Sequence, residues 1–172
     1  MIKIRANNSR FKLFFMKISI INLGSTKERY LKEGIALYEK RIRHYVTLEM
    51  IYLKEPRNMK NQPVEMQKEN EGKLLLSTLE KIDQPVLLDA DGKHLDSVGF
   101  SKFIQNALNR GTRNLGFVIG GPYGFSEEVY KAVPENLSLS HMTFSHQMTR
   151  LIFLEQLYRA FTIIRGEPYH HT

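Results

Sequence analysis

Ser145, His146, Gln147 and Arg150 set a hydroxyl, an imidazole, an amide and a guanidinium at the mouth of a strongly apolar helical run. Between Met148 and Ile164, 11 of 17 residues are apolar. One buried helix face needs a stripe of only roughly 100°, so this helix is expected to pack on its own sheet and on something else. Polar groups kept at the entrance of such a helix mark a candidate site. Histidine titrates near neutrality, so His146, and His170 in the tail, are suited to moving a proton. Arg150 is suited to holding a phosphate or a nucleobase carbonyl. Helix capping by His146 and an ion pair for Arg150 account for the same residues.

Two loops could complete such a site. Gly120-Gly121-Pro122-Tyr123-Gly124 follows an apolar run and would bring bare backbone against a ligand. It is neither a Walker loop nor G-x-G-x-x-G, which argues against the common nucleotide cradles. A tight turn explains it equally well. Leu139, Ser140, His141, Met142, Thr143 and Phe144 form a second loop, whose backbone N–H and C=O groups could read a purine edge. A plain strand-to-helix connection is the alternative. His141 and His146 are five residues apart, the wrong step for one helix face, and no carboxylate lies at ligand spacing. No metal site is expected. With no cysteine and no G-x-S-x-G, acyl transfer is a poor fit.

The elements that would hold these loops alternate between strand and helix. Lys17–Leu23 is an isoleucine-rich strand closed by Gly24. Ser25 or Thr26 can cap a helix carrying Tyr30, Leu31, Ile35, Tyr38 and Ile42 at three- and four-residue steps. Residues 46–53 form a second strand, and 54–63, with two prolines, a long loop. A charged helix over 64–81 presents Leu74, Leu75 and Leu79 inward. Residues 85–90 form a buried strand turned by Asp91-Gly92. Ser97 opens a helix that Gly111 stops. Residues 115–119 are a fourth strand, Ser126 caps a short helix, and 137–140 are a fifth strand. Thr143 or Ser145 caps the long helix, and Pro168 stops it. Strands separated by helices imply an α/β fold, a mostly parallel sheet with helices on both faces. Ligands of such sheets bind beyond the carboxyl ends of the strands, where loops 89–92, 120–124 and 140–145 should meet.

The 172 residues have room for one domain. The net charge of +7 is unevenly spread: residues 1–15 carry four basic groups and no acid, leaving +3 for 16–172. Overall charge is therefore poor evidence for nucleic acid. Residues 1–15 lack the apolar core of a secretory signal and read as an extension, with Met16 as the natural start. The domain is expected to span 16–172. No apolar run reaches the ~18–20 residues of a membrane span. The absence of cysteine fits a reducing cytoplasm.

Four pieces occur in order: MKISIINLG, VIGGPYGF, LSLSHMTFSHQMTRLIFLEQLYRAF and a terminal PYHH. Together they closely resemble the large-subunit ribosomal RNA pseudouridine N3-methyltransferases of the SPOUT superfamily, over nearly all of 16–171. The resemblance implies a C-terminal trefoil knot, a homodimer, S-adenosylmethionine as methyl donor, and N3 of a ribosomal RNA pseudouridine as acceptor. It places the donor on Leu88, on Gly120 with its neighbour Gly121, and on Leu139, Ser140, His141, Met142, Thr143 and Phe144. It ends in the same Tyr169-His170, an aromatic and an imidazole suited to stacking on a base and exchanging its proton. His146 and Arg150 complete the expected catalytic set. Ser145 stands where the family commonly has proline. Two other classes use the same features: a nucleotide-binding hydrolase or transferase, and a non-catalytic RNA-binding module. The latter lacks an RRM-type aromatic strand or a GXXG clamp.

Overall fold

The computed structural model describes residues 16–54 and 62–169. The elements are β1 Lys17–Leu23, α1 Arg29–Ile42, β2 Thr47–Leu53, α2 Val64–Leu79, β3 Gln84–His94, α3 Ser97–Asn109, β4 Asn114–Ile119, α4 Glu127–Ala132, β5 Asn136–Ser138 and α5 His146–Arg165. The expected extension at 1–15, most of the expected loop at 54–63, and His170 lie outside the described residues.

The strands form one sheet in the order β2-β1-β4-β3-β5 with every pair parallel. β4 is buried at all six positions, which is why its sequence after Asn114 carries no polar side chain rather than alternating. Successive side chains feed opposite faces. Ile18, Ile20, Phe117 and Ile119 join one core with Phe153, Leu157 and Phe161 of α5. Ile21, Leu23 and Val118 join a second with Leu75 of α2 and Val129 of α4. Helices therefore cover both faces, as the alternating pattern predicts. Among the described residues, no helix is long and apolar enough to cross a membrane.

Several boundaries differ from expectation for local reasons. α1 begins at Arg29 after Glu28, not after Ser25 or Thr26. The Thr26 hydroxyl instead accepts a hydrogen bond from buried Arg150 at 3.0 Å. α3 is capped by Asp96, whose carboxylate accepts from the Gly99 amide at 2.6 Å. The inner face of α2 is Glu71, Gly72, Leu75 and Leu79, with Leu74 half-buried. Gly166, in the left-handed region at φ 67°, ends α5 before Pro168 is reached. The Gly166 and Glu167 amides donate to Ile163 and Thr162 carbonyls, which satisfies the last turn.

The largest departure is at β3, which does not end at Asp91-Gly92 but continues to His94. Leu137 of β5 pairs with both Leu88 and Lys93, so residues 89–92 bulge around it. A Cβ at Gly92 would lie 2.6 Å from the Leu137 carbonyl carbon. Only glycine permits that approach.

Candidate active site

Because β3, β4 and β5 are parallel neighbours, the chain leaves all three on the same side of the sheet. Residues 89–90, 120–124 and 138–146 converge there around a cavity of about 480 Å³, within the ~300–1,000 Å³ of small-molecule sites. Of the residues singled out in the sequence, Leu88, Gly120, Gly121, Leu139, Ser140, Met142, Thr143, Phe144 and His146 line it. The loop is held by its own serines. Ser138 Oγ donates to the Ser140 carbonyl at 3.1 Å, and Ser140 Oγ accepts from the Met142 amide at 2.9 Å. Ser145 caps α5, accepting from the Met148 amide at 3.3 Å, and so presents His146 as the first helical residue at the cavity wall. The glycine run is both a tight turn and a wall: the Gly124 amide donates to the Gly121 carbonyl at 3.3 Å, and Gly124 has φ 77°. Behind it, a Cβ on Gly121 would meet a Glu71 carboxylate oxygen at 2.6 Å.

His141 is not part of the wall. Its ring stacks on His94, with centroids 3.8 Å apart and planes at 27°. Arg150 is not at the mouth either, and this corrects its expected contact with phosphate or nucleobase. Its side chain is fully buried, donates to Thr26 Oγ1 and to the Leu23 carbonyl, and lies 5.9 Å from the Tyr52 ring centroid. The guanidinium ties α5 to the end of β1 from inside the core. Arg150→Met should therefore lower stability by about 2–4 kcal/mol, because two buried acceptors lose a charged donor. Chemical denaturation checks this. An unchanged midpoint would contradict the structural role.

Tyr169 also lies away from this cavity. The tail folds back along α5: the Tyr169 ring stands edge-on to Tyr158 at 4.8 Å and 73°. Its hydroxyl donates to Glu155 at 3.1 Å, while the Arg159 guanidinium lies 4.9 Å from the ring centroid. Glu155 is nine residues along the helix from His146, about 14 Å at 1.5 Å per residue. Glu155 and Arg159, paired at 2.5 Å, form a polar seam on α5 that is thus a socket for the tail of the same chain. Tyr45 donates to Glu167 and fixes the turn before it.

Burial raises the Tyr169 hydroxyl, with Tyr38 and Glu155 adding to the effect, so it serves as a hydrogen-bond donor at neutral pH rather than as a base. Burial first, and then a neighbouring carboxylate, likewise raise Tyr45 beside Glu167 and Tyr130 beside Asp89. A raised folded pKa leaves stability intact below the unfolded value of about 10 and erodes it above. The denaturation midpoint should hold from pH 8 to 9.5 and fall steadily above pH 10. A flat alkaline limb would contradict these three environments.

Asp89 lines the cavity from the loop expected there, and Phe125, Ser138 and Thr149, not singled out in the sequence, line it too. Thr149 could have been found, since it lies three residues after His146 on the same helical face. Among the described residues the arrangement offers exposed backbone, hydroxyls, one imidazole and one carboxylate around a pocket of mixed polar and apolar lining. That suits a flat heterocycle with a polar tail better than it suits a polyphosphate, for which no lysine or arginine among the described residues lines the wall.

Comparison with known proteins shows the family. The family model described as predicted SPOUT methyltransferase matches residues 16–170. Ribosomal RNA large subunit methyltransferase H of Flavobacterium johnsoniae is 51% identical over 156 residues, covering 91% of this chain and 99% of that protein. The protein of the same name from Parabacteroides distasonis is 50% identical over the same shares. Among solved structures, a probable methyltransferase from Bordetella pertussis Tohama I is similar in fold, with a TM-score of 0.55 and 12% identity over 86% of this chain and 95% of that one. The chain belongs to the SPOUT methyltransferase family.

Proposed function

We propose that the protein transfers a methyl group from S-adenosylmethionine to N3 of a pseudouridine in large-subunit ribosomal RNA. The observation that carries this is the single cavity where loops 89–90, 120–124 and 138–146 meet, in a chain about half identical to proteins named for that RNA's methylation. When bound, S-adenosylmethionine supplies a methyl group on a positively charged sulfur. This chain's residues supply position: backbone of 120–121 and 139–144 around the donor, and His146 at the wall where a proton can be exchanged. The trefoil knot belongs to the same reading. Support for it comes from Leu137, which pairs with both Leu88 and Lys93 of β3 across the bulge at 89–92. A cytoplasmic setting follows from a ribosomal substrate.

The reading includes a homodimer. Every residue of α5 is already buried or half-buried in one chain, yet Ile152 and Ile163 flank the Glu155–Arg159 seam without joining either core. A second copy seated on this face would cover them and bring the partner's tail within reach of the cavity. Ile152→Glu should convert a particle of twice the chain mass to one of about 20 kDa at micromolar concentration by sedimentation. Leu154, by contrast, is wholly in the core and is no probe of assembly. A monomeric unaltered protein would refute the dimer.

Calorimetric titration tests the donor. Saturable binding of S-adenosylmethionine supports the reading. Binding of another nucleotide in its place would favour a hydrolase or a different transferase, and binding of RNA with no donor would favour a non-catalytic module.

A further inference from the structure

Among the described residues that line the cavity, Asp89 carries the one carboxylate and there is no lysine or arginine. Both of its oxygens are held. Oδ1 accepts from the Asp91 amide at 2.9 Å, within its own loop, and Oδ2 accepts from the Tyr130 hydroxyl on α4. Tyr130 is itself fixed, its ring edge-on to Phe125 at 5.8 Å and 84°. Phe125 lines the same cavity and lies against Gly120. A single chain of contacts thus runs from the β3 loop through α4 to the β4 loop. It keeps an anion at one place in the wall.

The chemistry of the proposed reaction gives that anion a use. Donor and product share the adenosine and the amino-acid tail and differ at sulfur. The donor's sulfonium is a cation with no N–H or O–H, so a hydrogen-bond acceptor cannot recognise it by accepting a proton. The product's thioether is uncharged. Only a charge-sensitive contact distinguishes the two strongly. We infer that Asp89, positioned by Tyr130, is the group through which the cavity favours the sulfonium donor over its thioether product. The inference rests on the donor reading above. It adds a device that loosens the site when the methyl group leaves, since the attraction disappears with the charge. Near a protein surface, where the effective dielectric is about 20, one such attraction partly screened by solvent is worth about tenfold in affinity.

Titration of the full chain with S-adenosylmethionine and, separately, S-adenosylhomocysteine tests this at matched pH and ionic strength. Asp89→Asn keeps the size of the side chain and removes the charge. It should weaken donor binding about tenfold and leave product binding within about twofold. Tyr130→Phe, which keeps the ring against Phe125, should shift the ratio in the same sense by less. Equal weakening of both ligands in either variant would overturn the inference, because a purely structural role acts on both alike. So would an unchanged ratio in Asp89→Asn. If that variant does not fold, Tyr130→Phe alone decides by the same criterion. Failure of the unaltered protein to bind either ligand is a separate result and would overturn the donor reading itself.

Discussion

Removing His170, His171 and Thr172 is expected to lower methyl transfer at least ~10²-fold, the low end for loss of an acid–base group, while fold, dimer and donor affinity stay nearly unchanged. The cut is placed after Tyr169 because Tyr169 and Glu167 are structural: one packs on Tyr158 and donates to Glu155, the other accepts from Tyr45. A deletion from 167 would confound activity with stability. Tyr169 lies on the α5 face proposed for assembly, about 14 Å along the helix from His146 of the same chain. We propose that the tail acts at the partner's cavity rather than at its own. Transfer measured in single turnover, with donor affinity as control, checks this. Full-length rates in the truncated protein would make the tail a mere end and leave His146 as the proton-handling group.

The second large effect is expected at Gly120. Gly120→Val should abolish donor binding, a loss of at least ~10²-fold from intruding into a preformed, well-packed pocket. A Cβ there would already stand 3.0 Å from two Phe125 ring atoms, and Phe125 is itself a buried wall of the cavity. The added methyls either enter the donor's space or drive the ring into it. Overpacking also costs stability, about 1–3 kcal/mol, so a thermal melt must accompany the titration. Gly120→Ala asks the ring to give by a few tenths of an ångström and should fall between the two. Unchanged donor affinity in the folded valine variant would remove Gly120 from the site.

Much of this was legible in residue patterns, and the reasons are physical. Strands buried on both faces, such as β4, carry near-continuous apolar runs, here residues 115–119 after Asn114, so their sequences announce them. Loops after parallel strands must share one end of the sheet, so the convergence of Gly120 and Leu139–Phe144 followed from the strand–helix alternation alone. What escaped notice depends on partners far away in the chain. Asp91-Gly92 has the composition of a turn, but β5, more than forty residues later, supplies a strand for β3 to pair with beyond it. Thr26 looks like a helix cap until Arg150, 124 positions away, takes its hydroxyl. Arg150 looks like an anion contact for the same reason: nothing local shows that the Leu23 carbonyl and Thr26 await it in the core. Asp89 owes its fixed position to Tyr130, which no spacing rule connects to it.

The most direct test of the account is transfer of an isotopically labelled methyl group from S-adenosylmethionine to ribosomes, followed by nucleoside analysis of the large-subunit RNA. The account predicts label in a single modified nucleoside, pseudouridine methylated at N3, and none when the Gly120→Val protein is used. Label on another nucleoside, or no label on ribosomes or their free RNA from a protein that binds the donor, would contradict it.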